Sequence, residues 1–380
     1  MKVVVIGPAY PMRGGVSNFN ELYSKILLDK GWNVKNISYL AAFPKFVFPA
    51  KIPLEAGLRP EKLEIHPLIH TVYPFTWLRA INRIREIQPD LVIVHYWSTW
   101  LAPALGTILY MTRRYLKKTK IIAVVHHYKR QTKPVKKLLE KFFFTSVHGC
   151  ITMAKTLRDD LKRIYRKMKV EFIYHPVYVV FGNKVSKAEA RSYLKLNVKE
   201  PVILFFGIIR PYKGLDLLLQ ALAHEEVRKL GLRLIVAGEF SNSKEKCLQM
   251  IADLKLENHV IIVDEFIPTP AVKYYFSAAD LIIQPYKSAS HSGITQIAYQ
   301  FERPMLVTDV GDLADIVPHM KVGYVSPVDA GSIAGYIVDF YMNHRAEEFA
   351  RHLKVEKQRF SWDNMVNGLE TMMAGLDEKP

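Results

Sequence analysis

Phe205-Phe206-Gly207-Ile208-Ile209-Arg210-Pro211-Tyr212-Lys213-Gly214-Leu215-Asp216 is the stretch that decides the fold. A short apolar run breaks at a glycine, passes two cations and a second glycine, and gives way to a helical pattern. A buried strand that ends in a loop and restarts as a helix is the repeating step of a parallel α/β sheet. Helix amino termini attract anions, and glycine lets backbone approach a phosphate closely. Arg210 and Lys213 are therefore candidate ligands of a diphosphate. Turn chemistry explains the glycines equally well, and spacing alone leaves both readings open.

The same rhythm extends in both directions. Downstream, Leu232–Ala237, Val260–Val263, Leu281–Gln284, Met305–Thr308 and Gly323–Val325 join Val202–Phe206 as strands, with helices between. Upstream, the strands are Lys2–Ile6, Asn33–Tyr39, Leu91–His95, Lys120–His126, Gly149–Thr152 and Glu171–Tyr174. Amphipathic helices over Ser17–Lys30, Pro74–Gln88, Thr99–Lys117 and Lys155–Arg166 separate them. Residues 41–62 carry Pro44, Pro49, Pro53 and Pro60 with Phe43, Phe46 and Phe48, and read as a long loop. A linker is expected over 176–186. The chain is thus α/β, two doubly wound parallel-sheet domains in tandem, with a cleft expected at the carboxyl ends of the strands.

Three further segments carry candidate chemistry. Gln284-Pro285-Tyr286-Lys287-Ser288-Ala289-Ser290-His291-Ser292-Gly293-Ile294-Thr295-Gln296 again runs from strand to small-residue loop to helix. Ser290 or Ser292 can cap that helix and leave amides for an anion, or the capping is merely ordinary. Gln296, inside the helix, can equally be a solvated polar residue. Gly14-Gly15 follows the first strand but is no dinucleotide fingerprint, since Gly7 precedes Pro8-Ala9-Tyr10. His126-His127 and His95 close two successive strands, where an acid, base or donor would face the cleft; a structural histidine is the commoner case. No phosphate-loop lysine motif, His-Glu-x-x-His, Gly-x-Ser-x-Gly or Asp-x-Asp occurs. Phosphates would then have to be held by cations and helix ends, with no metal.

Composition narrows the class. The 380 residues are 49% hydrophobic and 12% aromatic, those of a folded protein too long for one core. The two cysteines, Cys150 and Cys247, suit neither a disulfide framework nor a zinc site and fit a reducing compartment. Met1–Gly7 is too short an apolar run for a signal peptide, and Leu101–Met111 falls short of a membrane span. The net charge of +17 is lopsided: residues 1–185 hold 31 Lys and Arg against 11 Asp and Glu (+20), and the remainder 22 against 25 (−3). The basic half implies an anionic partner: membrane lipid, nucleic acid or a phosphorylated acceptor. In 133–146, Val135, Leu138, Leu139 and Phe142 fall at helical spacing among Lys133, Lys136, Lys137 and Lys141. Over 155–169, Leu157, Leu161, Ile164 and Met168 alternate with seven basic residues. Such helices lie on anionic bilayers or pack on a sheet with the lysines in water.

Taken together, the segments resemble the retaining GT-B glycosyltransferases of family 4 (glycosyl transferases group 1) over nearly the whole chain. Phe206-Gly207, Arg210 and Tyr212-Lys213-Gly214-Leu215-Asp216 look like that family's donor-phosphate loop. Ala278-Ala279-Asp280-Leu281-Ile282-Ile283-Gln284-Pro285-Tyr286 with Ser292-Gly293 and Gln296-Ile297-Ala298-Tyr299 resembles its donor strand and helix. Pro304 and Thr308-Asp309-Val310-Gly311-Asp312-Leu313 resemble the next strand and turn, and Phe360-Ser361-Trp362-Asp363 the start of a last helix that crosses back. Gly14-Gly15 matches the glycine pair facing the donor, and Val124-Val125-His126 the strand of the active-site histidine. One departure stands out: the family's two glutamates, eight positions apart, are Ser288 and Gln296 here. Gln296 keeps an amide able to bond ribose hydroxyls, whereas Ser288 cannot replace a carboxylate beside the sugar.

The resemblance implies an acceptor-binding domain at 1–180, a nucleotide-sugar-binding domain at 186–358 and a returning helix at 359–380. It implies His126, Arg210 and Lys213 as catalytic residues, and Gly14, Gly15, Arg210, Lys213, Ser292, Gly293 and Gln296 as donor-binding. It also implies anomeric retention, no metal and no cofactor, and a glycan or lipid-linked acceptor. The expected location is cytoplasmic, on an anionic membrane surface at the inner face of the cell membrane, with no nucleic-acid partner. Two rivals are distinguishable. A GT-B nucleotide-sugar epimerase or a dinucleotide oxidoreductase would use the same sheets, though the oxidoreductase lacks its Gly-x-Gly-x-x-Gly. A nucleic-acid-binding protein would use the basic half, but no aromatic-basic motif is present.

Overall fold

The computed structural model describes residues 1–12, 14–42, 62–128, 133–241, 243–289 and 292–376. The prolines and phenylalanines of the expected loop at 43–61, and Ser290, lie outside these residues. The chain divides into two compact units, Met1–His175 with Trp362–Pro380, and Pro176–Ser361.

In the first unit seven parallel strands are β1 (Lys2–Ile6), β2 (Asn33–Ala41), β3 (Glu64–His70), β4 (Leu91–Tyr96), β5 (Lys120–Val125), β6 (Gly149–Thr152) and β7 (Lys169–Phe172), in spatial order β3-β2-β1-β4-β5-β6-β7. In the second, six parallel strands are β8 (Val202–Phe206), β9 (Arg233–Ala237), β10 (Val260–Val263), β11 (Leu281–Gln284), β12 (Met305–Thr308) and β13 (Gly323–Ser326), ordered β10-β9-β8-β11-β12-β13. Both sheets reverse their order beside the first strand, the arrangement that opens a crevice at the carboxyl ends. Helices cover both faces, so the central strands are apolar without alternation: Val3–Ile6, Leu91–Val94, Ile121–Val125 and Val202–Leu204 have no exposed surface.

The expected strands form, with small shifts: the segment placed at Glu171–Tyr174 pairs over Lys169–Phe172, and that placed at Lys120–His126 ends at Val125. β3 was not expected. Pro67 lies inside it, and its pairing with β2 is irregular just beyond Ser38. A proline cannot donate to a ladder and is tolerated on an edge strand, which is where β3 lies.

The segment read as a linker is folded onto the second unit. The turn Val179–Phe181 packs on helix Thr269–Ala278, and the Val177 amide donates to Phe360 O at 3.0 Å. Helix Trp362–Ala374 belongs to the first unit, where Lys120 Nζ donates to Met373 O at 3.1 Å and Lys30 pairs with Asp363 at 3.3 Å.

Candidate active site

In the second unit the site is built where β8 and β11 end. After β8 the backbone turns at Gly207 with φ +90°, passes Arg210 and makes one tight helical turn over Pro211–Lys213. It then caps helix Leu215–Leu222 with Gly214 at φ +71°. A side chain at Gly214 would run into the carbonyl of Pro285, so glycine is required twice, by conformation and by space. Gly207 is the floor under Lys213: a Cβ there would stand 3.1 Å from Lys213 Nζ and 3.3 Å from Ile294 Cδ1. The loops after β8 and β11 are tied together, with the Lys287 amide donating to Tyr212 O at 2.7 Å and Lys287 Nζ pairing with Asp216 at 2.5 Å.

Lys213 is buried, 8% exposed, and makes no ion pair among the described residues. Its ammonium stands 5.7 Å from the centre of the Tyr286 ring. Burial, and then the neighbouring Arg210 charge, lower its pKa to about 8. Arg210 is exposed and likewise makes no ion pair among the described residues. Proteins rarely bury a cation without a counter-charge, and two unpaired cations at a strand-to-helix turn leave a seat for an anion. Tyr286 links this seat to the next helix: its hydroxyl lies 3.3 Å from Ser292 Oγ, and its carbonyl accepts from Thr308 Oγ1 at 2.5 Å. Ser292 caps helix Gly293–Gln300, accepting from the Ile294 amide at 3.2 Å. Gly293 lies against the ring of Tyr178.

The solvated alternative for Gln296 is overturned. The side chain is 1% exposed, and neither its amide nitrogen nor its oxygen has a hydrogen-bond partner among the described residues. The helix packs inward at this position, so the amide is desolvated; Gln284 at the end of β11 is in the same state. Buried amides are nearly always bonded, and such pairs mark places completed by a ligand or water. Ser288 is exposed.

In the first unit Gly14 caps helix Gly15–Asp29 at φ +127° with nothing near its Cβ position, and Gly15 is the helix's first residue. His126, just past β5, is buried, and its Nε2 lies 2.8 Å from Nδ1 of His95 on β4, whereas His127 is exposed. Burial lowers the pKa of His95 to about 3, so that ring is neutral. Its Nε2 is buried without a partner among the described residues. A bare lone pair costs less there than an orphaned N–H, which assigns the shared hydrogen to His95 Nδ1 donating to His126 Nε2. His126 then carries its own hydrogen on Nδ1. Phe19 sets its edge or face against His95, His126, His175 and Trp362, with centroids 5.0–5.7 Å away. Phe19 in the first unit, and Tyr178 and Tyr286 in the second, had no assigned role in the sequence, because nothing in local spacing marks which rings pack beside a site.

Residues 186–358 match the family described as Glycosyl transferases group 1, and residues 13–180 match Glycosyltransferase Family 4. A D-inositol 3-phosphate glycosyltransferase of Segniliparus rotundus is 30% identical over 200 residues, 48% of this chain and 42% of that protein. A GDP-mannose:glycolipid 4-beta-D-mannosyltransferase of Xanthomonas campestris is 28% identical over 142 residues, 36% and 39% of the two chains. The chain thus spans about two fifths of the length of these curated relatives. Among solved structures, a glycosyltransferase from Rickettsia africae superposes with a TM-score of 0.76 at 16% identity, covering 100% of this chain and 99% of that one. Anabaena HepE in complex with UDP gives 0.71 at 15%, covering 99% and 100%. The fold is GT-B. The two matches between them take in both sheets, each half of the chain matching a glycosyltransferase family.

Proposed function

We propose that the protein transfers a sugar from a nucleoside diphosphate sugar to a glycan or lipid-linked acceptor, without a metal and with retention at the anomeric carbon. The observation that carries this reading is Lys213: a buried ammonium beside Arg210, with no carboxylate partner among the described residues, in a loop that opens a helix. In this reading 186–358 bind the donor, 1–180 the acceptor, and the helix of 359–380 returns to the first domain. The diphosphate is seated on Arg210, Lys213 and the amides near Ser292 and Gly293. These groups stabilise the charge that grows on the leaving diphosphate, usually the largest catalytic contribution. Gln296 gives its unpartnered amide to the ribose hydroxyls. His126 donates to the transferred sugar, held by His95 behind it, with Gly14 and Gly15 leaving room for the donor. The leaving phosphate accepts the acceptor's proton, which needs no carboxylate pair.

Two similar proteins support the substrate classes: the Anabaena protein was crystallised with UDP, and the Xanthomonas relative is named for a glycolipid acceptor. The +20 charge of 1–185 supports an anionic membrane at the inner face of the cell as the place of work. Among the described residues no helix is long and apolar enough to cross a membrane. Incubation with a panel of nucleotide sugars, following release of nucleoside diphosphate with and without acceptor lipids or glycans, tests the reading. Turnover of one donor supports it; NADH binding with no nucleotide-sugar turnover would favour the oxidoreductase instead.

A further inference from the structure

We infer that the leading turns of three neighbouring helices in the first unit form the surface on which the protein seats itself on an anionic bilayer. This rests on the membrane reading above and names the residues that carry it. Helices Pro74–Ile87, Ala102–Tyr115 and Pro134–Ser146 lie side by side. Each follows a parallel strand, β3, β4 or β5, so their amino termini come to the same end of the sheet. At that end Phe75 is 80% exposed, Leu78 55%, Trp100 50%, Val135 69% and Leu138 67%. Trp100 belongs to the turn Thr99–Leu101, which packs on both the second and the third helix. Single exposed apolar residues are ordinary; five on adjoining turns, two of them aromatic, form a patch.

The sequence pattern pointed to 133–146 and 155–169 as amphipathic, and the two helices differ. Leu157 and Leu161 are buried, so the first half of the second stripe packs on its sheet, while Ile164 is 36% exposed. In the first, Phe143 and Phe144 go inward while Val135 and Leu138 face out. Among the described residues, the charge on the leading turns of this outer face has one sign. None of the three helices has an acidic residue in its first turn. Glu140 is buried, accepts from Thr99 Oγ1 at 2.8 Å and is pushed towards its neutral form by that burial. Arg79, Lys133, Lys137 and Lys141 are exposed.

A bilayer with anionic headgroups accepts both halves of this face, rings and aliphatic chains at the acyl boundary and cations among the phosphates. A second copy of the chain would set like charges against each other. Each lysine near such a surface strengthens partitioning roughly fivefold. The patch stands at the end of the sheet that also bears His95 and His126, so docking brings that edge to the depth where a lipid-linked acceptor presents its hydroxyl.

The test is co-sedimentation with vesicles of phosphatidylcholine and phosphatidylglycerol, against phosphatidylcholine alone, for the wild type and for Phe75→Ser/Leu78→Ser and Val135→Ser/Leu138→Ser. Trp100 serves as the depth reporter through quenching by brominated acyl chains, with Trp100→Phe as its control. The wild type should bind the anionic vesicles, each double variant should bind at least tenfold more weakly with an unchanged melting temperature, and the quenching should fall in Trp100→Phe. Equal binding by wild type and both variants would overturn this assignment while sparing the membrane reading. A wild type that stays in the supernatant at low salt would sink both. Sedimentation showing a dimer that the variants abolish would make the face a self-association surface and overturn the proposal.

Discussion

Replacing Lys213 by methionine should make the protein more stable and a poorer binder of its donor. Lys213 is buried, faces no carboxylate among the described residues, and has its pKa lowered from 10.5 to about 8. A base whose pKa is depressed on folding costs stability while it is charged. That cost is full below about pH 8 and fades as pH rises towards 10.5, where the unfolded lysine also loses its proton. A depression of this size corresponds to about 3 kcal/mol at neutral pH. Methionine keeps the stem and removes the charge, so at pH 7 the melting temperature should rise by roughly 5–10 °C, and the gain should shrink near pH 10. Losing a charge-assisted hydrogen bond to phosphate costs roughly 1.5–3 kcal/mol, so the nucleoside diphosphate Kd should weaken roughly ten- to hundredfold. Wild-type affinity should itself fall above pH 8, and that fall should be absent from the variant. Calorimetry and thermal melts across pH 6–10 read all of this. A lower melting temperature together with unchanged diphosphate affinity would refute the reasoning.

Chelation by EDTA should leave turnover intact; its loss, with rescue by magnesium or manganese, would contradict binding of phosphates by cations alone. Gln296→Leu removes a desolvated amide, so it should hold or raise the melting temperature while weakening nucleoside affinity by about 1 kcal/mol, read by titration calorimetry. His126→Ala should lower kcat on the order of a hundredfold with little change in donor Kd, measured by single-turnover kinetics. Gly214→Ala should unfold at lower temperature in a thermal melt, since its Cβ meets the Pro285 carbonyl and its φ is +71°.

The strands plainest in the sequence are the central ones, buried on both faces. Val202–Phe206, Leu281–Ile283 and Met305–Val307 read as unbroken apolar runs because helices cover them on either side. β3 was not legible, since Pro67 and its histidines belong to an edge whose pairing is partly irregular. The anion loop was visible as residues but ambiguous as chemistry. What decides between a solvated turn and a seat is the burial of Lys213 beneath Tyr286, and that depends on β11, some seventy residues on. The same holds for Gln296, whose desolvation no helical spacing reveals, and for His95, whose contact with His126 follows from the pairing of β4 with β5. The basic character of 1–185 was plain, but which apolar side chains of 133–146 face outward is fixed by packing: Phe143 and Phe144 take the inner side and leave Val135 and Leu138 outside.

The measurement that bears most directly on the central claim is a thermal melt of the wild type and of Arg210→Ala/Lys213→Met with saturating nucleoside diphosphates. A ligand at a hundred times its Kd adds about 2.7 kcal/mol, which is roughly 5–10 °C for a unit of this size. One diphosphate should raise the wild-type melting temperature by that amount and leave the double variant unmoved. A rise that persists in the double variant, or no rise with any nucleoside diphosphate or its sugar, would contradict the claim that these two cations seat the donor.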